Sequence, residues 1–126
     1  MPEGEATPQR SKVYSTRVIR SSEIGNYIKE IYDHKCQISG VRLDTPAGPY
    51  AEACHIRPVG KPHNGPDVPG NVLCLSPNIH VLYDHGAIAL SDDLKVLGMD
   101  ADVTIHPNHN LDIDCIRYHR KHIYNG

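Results

Sequence analysis

Ile24, Tyr27, Ile28, Ile31 and Tyr32 recur at the i, i+3, i+4, i+7, i+8 spacing of one helical face. That spacing predicts an amphipathic helix over 24–32. Ser21 or Ser22 supplies its cap, and Glu23 sits favourably against the dipole in the first turn. Beyond His34 the helical period is lost among Gly40, Pro46, Gly48 and Pro49. Tyr50 to Arg57 then follows a period of two, which predicts a strand. One of its faces carries Tyr50, Glu52, Cys54 and Ile56; the other carries Ala51, Ala53, His55 and Arg57. Pro58 to Gly70 is rich in proline and glycine and reads as a long loop, of a length that is usually functional or disordered. Asn71 to Leu75 reads as a second, short strand. Ser76-Pro77-Asn78 starts a helix that runs through His80 to His85, where Gly86 stops it. Short strands are expected around Ala87–Leu90, Lys95–Leu97 and Val103–Ile105, and a mildly basic helix from Ile113 to Tyr124. Residues 1–12 carry no such period and are expected to be a disordered lead-in to one domain over 13–126.

Composition narrows the class. A chain of 126 residues is enough for one domain and short for two. At 39% hydrophobic and 22% charged it has a globular balance. No apolar run is long enough for a membrane-spanning helix. MPEGEATPQR has no apolar stretch, so no secretory signal is expected. With net charge −2, nucleic acid could be held only by a local basic patch. Phe and Trp are absent while Tyr numbers 7, so a single-strand binder built on stacked aromatics is disfavoured. The 9 histidines point to metal or acid–base chemistry. Cys36, Cys54, Cys74 and Cys115 form no CxxC pair, and read as the reduced thiols of a cytoplasmic protein.

The chemistry-bearing residues fall in the strand–loop–strand–helix segment. His55 lies on the first strand beside two small alanines, which leave room for a phosphate. As a neutral imidazole it can take a proton from water. His80 and Asp84 lie four apart on one helix face, a spacing that one metal ion can bridge. Asn71 can fix the loop and orient His55 by hydrogen bonding. Arg57 and Lys61 are candidates for phosphate contact. Cys54 reads as a small buried residue, and Cys74 and Cys115 as core thiols. His106 and His109 with Asp112 read as a turn around Pro107, with a second metal site as the alternative.

The segments Ala51-Glu-Ala-Cys-His-Ile-Arg-Pro58, Gly65-Pro-Asp67, Asn71-Val-Leu-Cys-Leu75 and His80-Val-Leu-Tyr-Asp-His-Gly86 together resemble the HNH endonucleases. Within that family they are most similar to the HNH domain of McrA-like, modification-dependent restriction enzymes. The resemblance implies an α+β fold, with a ββα-metal (His-Me finger) core and flanking N-terminal and C-terminal helices. It implies double-stranded DNA as substrate, cut to 5′-phosphate and 3′-hydroxyl ends. It casts His55 as general base, Asn71 as the orienting residue and His80 as metal ligand, with Asp84 as a second ligand. Many HNH proteins carry an Asp or His ligand where Cys54 stands. Close relatives often have a small residue there that ligates nothing, whereas a ligating Cys54 thiolate would favour a softer ion than Mg²⁺. Many McrA-like relatives also hold a structural zinc, at positions that here are Cys36, Ser39, Ser76 and Ile79. That zinc is expected to be absent, with packing around Ile79 in its place. One divalent ion is expected, Mg²⁺ or Mn²⁺ from the oxygen and imidazole donors, with Ni²⁺ or Zn²⁺ as alternatives. A one-metal site cuts one strand at a time, so a double-strand break calls for a homodimer. A separate domain that reads modified bases would supply target choice. The competing reading is a catalytically silent HNH scaffold that binds DNA or protein.

Overall fold

Every residue of the strand Val72–Leu75 is buried, which requires cover on both of its faces. The structure, a computed structural model, describes residues 23–126 and provides that cover. The expected lead-in over 1–12, the first residues of the expected domain and the Ser21 or Ser22 cap lie outside the described residues. Helix α1 is seen over residues 23–31. The strands are β1 (Leu43–Thr45), β2 (Gly48–Tyr50), β3 (Glu52–His55), β4 (Val72–Leu75), β5 (Ala89–Leu90) and β6 (Val96–Leu97). Helices α2 (Pro77–Asp84) and α3 (Ile113–His122) complete the fold. The strands form three antiparallel pairs, β1–β2, β3–β4 and β5–β6. The α+β class and the ββα core are as expected.

The β3–β4 ribbon is the centre. Its register pairs Glu52 with Leu75 and His55 with Val72. Cys54, Leu73 and Leu75 join Ile56 in the larger core with Ile79 and Tyr83 of α2, Ile88 and Leu90, and Cys115 and Ile116 of α3. The opposite face presents Val72, Cys74 and Ala51 to Ile28 and Tyr32, with Ala53 partly buried beside them. The alternation expected along 51–56 is thus the alternation between two cores. A Cβ on Gly25 would stand 2.9 Å from the Ala53 Cβ, so α1 packs close because that position is glycine.

Several elements differ from expectation. The strand expected over Tyr50–Arg57 is divided between β2 and β3. Tyr50 pairs back with Leu43, and from Ile56 onward the backbone turns into the loop. The β1–β2 hairpin has no counterpart in the sequence pattern, since β1 is wholly exposed and lacks an apolar face. No strand forms over Val103–Ile105: Thr104 N–H donates to Gln37 O, and only an isolated bridge joins Lys95 to Asp102. Asn71 sits at the end of a single 3₁₀ turn, Pro69–Asn71, rather than in β4. The last helix ends at His122, before Tyr124. Gly86 ends α2 with φ +81, and a Cβ there would meet Ile123 O at 2.3 Å, so both conformation and space demand glycine.

Candidate active site

Adjacent residues of β3 reach into two different clusters. On the α2 side, Glu52 Oε1 accepts from His80 Nδ1 at 2.9 Å. Asp84 Oδ2 accepts from His80 Nε2 at 3.0 Å. The Cys54 thiol donates to Asp84 Oδ1 at 3.6 Å. Tyr50 Oη donates to the other Glu52 oxygen at 2.6 Å. With a carboxylate on each nitrogen, the His80 ring donates at both ends, as only an imidazolium does. The Asp84 hydrogen bond raises its pKa above the usual imidazole value, against partial burial, and Glu52 adds to the effect. Burial works to raise Asp84, yet His80 outweighs it and leaves the carboxyl below its ordinary value. Glu52 is also lowered, first by the Tyr50 hydroxyl. Burial pushes the Cys54 thiol well up, and Asp84 adds to it.

These donors fit a divalent ion. Atoms of Cys54, His80 and Asp84 lie within 4.8 Å of one another, the one such group among the described residues. The Asp84 side chain is 48% exposed, so solvent and substrate can approach from its side. Glu52 on Nδ1 is the kind of partner that fixes the ring of a ligating histidine, with Nε2 turned to the ion.

On the loop side, His55 Nε2–H donates to Asp67 Oδ1 at 3.1 Å, with both side chains about a quarter exposed. Asn71, at 0% exposure, clasps the two ends of the intervening loop. Its Oδ1 accepts from Arg57 N–H at 2.8 Å, and its Nδ2 donates to Arg57 O and to Pro66 O, each at 2.9 Å. Asn71 therefore acts on His55 through the backbone at Arg57, two residues after it, and on its partner Asp67 through the adjoining Pro66. The loop is closed further by Gly65 N–H donating to Pro58 O at 2.7 Å. A Cβ on Gly65 would stand 2.1 Å from Arg57 O, so the crossing needs glycine.

The remaining candidates have definite places. The Arg57 guanidinium lies 4.0 Å over the Tyr118 ring, and its Nε donates to His63 O at 2.7 Å. Lys61 is exposed at the loop tip. His109 and Asp112 do not converge on a metal. His109 Nε2–H donates to Pro69 O at 2.8 Å, and Tyr32 Oη–H donates to its Nδ1. Asp112 caps α3, accepting from Asp114 N–H and Cys115 N–H. Arg117 and Arg120 are tied to Asp92. Of the four positions named above for a structural zinc, Cys36 and Ile79 lie in the larger core. At the other two, Ser39 N–H donates to Cys36 Sγ and Ser76 Oγ–H donates to Asn78 Oδ1.

The sequence reading gave Glu52 and Asp67 no site function and did not join Tyr32 to His109. Glu52 could have been found as a carboxylate two residues from Cys54 on the same strand face. Asp67 lies in a loop without period, and nothing local marks its partner.

Among family models, one described as HNH endonuclease matches residues 36–91. Among solved structures, a modification dependent TagI restriction endonuclease is similar at TM-score 0.77 and 42% sequence identity, over 82% of this chain. The chain spans 38% of the length of that relative. No curated protein matches. No helix among the described residues is long and apolar enough to cross a membrane.

Proposed function

We propose that this chain, which matches the HNH endonuclease model and is similar to part of a modification dependent restriction endonuclease, is an HNH endonuclease of the restriction type that hydrolyses phosphodiester bonds of double-stranded DNA with one divalent ion. The observation that carries the reading is the junction at residues 54 and 55. Cys54 reaches the His80–Asp84 group, while its neighbour His55 is held by Asp67. A proton acceptor and an ion-holding group thus meet at one peptide bond.

An ionised carboxylate only accepts, so Asp67 keeps the proton on Nε2 of neutral His55. Nδ1 is then the nitrogen with the free lone pair, and takes the proton from the attacking water. Asn71 positions that imidazole by fixing the backbone at Arg57 and Pro66. His80 and Asp84 would hold the ion, and Glu52, bonded to Nδ1, would fix the His80 ring as it did so. When bound, the ion supplies charge to stabilise the phosphate oxygens and the leaving 3′ oxygen. Lys61, exposed beside the His55 loop, would contact a flanking phosphate. Arg57, stacked on Tyr118, would present what remains of its guanidinium to the backbone. Cutting both strands would take two copies. Recognition of modified bases would come from a separate domain, in keeping with the restriction role of the structural relative.

A supercoiled-plasmid assay tests this. Nicking is expected with Mg²⁺, Mn²⁺, Ni²⁺ or Zn²⁺, stopped by EDTA and lost in His55→Ala. Modified and unmodified plasmids compare target choice. Folded protein that binds DNA without cutting under every ion would instead support the silent scaffold.

A further inference from the structure

The expectation of Mg²⁺ or Mn²⁺ rests on nitrogen and oxygen donors alone. The fold adds a sulfur. We propose that Cys54 is a third protein ligand and turns the site toward thiophilic divalent ions such as Zn²⁺ and Co²⁺ over Mg²⁺; this rests on the reading of His80 and Asp84 as the ion-holding pair.

Three observations carry the proposal. The first is convergence. All four cysteines are buried, yet among the described residues only Cys54 shares a group with a histidine nitrogen and a carboxylate oxygen. Its thiol points at Asp84 Oδ1, 3.6 Å away, rather than only into the apolar core. The second is reach. With metal–ligand bonds of about 2.0–2.3 Å, donor atoms on one ion stand roughly 3–4 Å apart. The observed separations, all within 4.8 Å, need only side-chain adjustment to close. The third is architecture. Cys54 forms a floor at 0% exposure, His80 a wall at 23%, and Asp84 the rim at 48%. Glu52 already orients the His80 ring from behind. A floor of sulfur, which gives up its proton to solvent when an ion binds, suits a soft or borderline ion. The open rim leaves further coordination positions for substrate.

The test is titration of the full chain with Co²⁺ alone, under reducing conditions, read by absorbance. Wild type and Cys74→Ser should both develop the near-ultraviolet sulfur-to-cobalt charge-transfer band. Zn²⁺ at equal concentration should remove it, and excess Mg²⁺ should not. Cys54→Ser should lose the band and bind Co²⁺ about tenfold or more weakly. Cys54→Ala serves as a second variant, and thermal melting establishes that each is folded. Co²⁺ bound without the band, or a band that survives in Cys54→Ser, overturns the proposal. If in either case Asp84→Asn still abolishes binding, the His80–Asp84 reading stands and the sulfur alone is refuted. Wild-type protein that takes up no Co²⁺ would sink both.

Discussion

The two sides of the β3–β4 ribbon are built in opposite ways. On the α2 side three charged groups and a thiol come as pairs close in sequence: Glu52 and Cys54 alternate on one strand, and His80 and Asp84 share one helical turn. On the α1 side the holding groups are neutral, buried and distant. Tyr32 and His109 are separated by 77 residues, yet they join α1 to the 3₁₀ turn that carries Asn71. The same side chain behaves differently in the two settings. His80 is raised above its ordinary pKa by Asp84, against burial. Burial lowers His109, against the carbonyl that its Nε2–H reaches. A histidine that is to exchange a proton for an ion must face charge and water. One that fixes a loop must be dry and neutral.

The sharpest way to break this contrast is His55→Ala, which touches neither holding network. Nicking should fall about 100- to 10,000-fold, the usual worth of a positioned general base. Ion uptake and melting temperature should stay near wild type, so a large loss of either would mean that His55 is structural. Asn71→Ala should do the reverse. It leaves Arg57 N–H, Arg57 O and Pro66 O without their partner, at a cost of about 3 kcal/mol in unfolding free energy. Denaturant titration measures this, and an effect below about 1 kcal/mol would deny the clasp its role.

Acid should separate the sides next. The depressed pKa of His109 means that the unfolded chain binds a proton more readily than the native one. His109 imposes no penalty above its unfolded pKa of about 6.5; stability is lost as pH falls from there through the lower folded value. His119, also lowered by burial, acts in the same direction. His80, raised by Asp84, acts in the opposite direction over the same window, so the readout is the difference from wild type. Between pH 7 and 5, His109→Gln should lose less stability than wild type does, while being less stable at pH 7. An unchanged slope in that variant would assign the acid sensitivity elsewhere. The smallest effect belongs to Asp92→Asn. It removes the ion pairs to Arg117 and Arg120, which are exposed and screened by solvent. The melting point should move by little more than the resolution of the measurement.

The periodic elements were legible because periodicity is local. The α1 and α2 faces, the alternation along β3 and the His80–Asp84 spacing follow from residues within a turn or two of each other. The candidate base and ion pair could therefore be named from their motif. Short exposed strands were not legible. The β1–β2 hairpin buries no apolar face, and the expected strand over Val103–Ile105 has no partner to complete a ladder. What the sequence by itself determined, then, is which residue types stand on which face of which element, because backbone period alone decides that. Only the tertiary structure decided who meets whom: Asp67 with His55, Glu52 with His80, Cys54 with Asp84, and Asn71 with both ends of its loop. Those pairings depend on where a nonperiodic loop and two separately packed faces come to rest. Hydrogen-bond geometry and burial settle that across the whole chain rather than within any window of it.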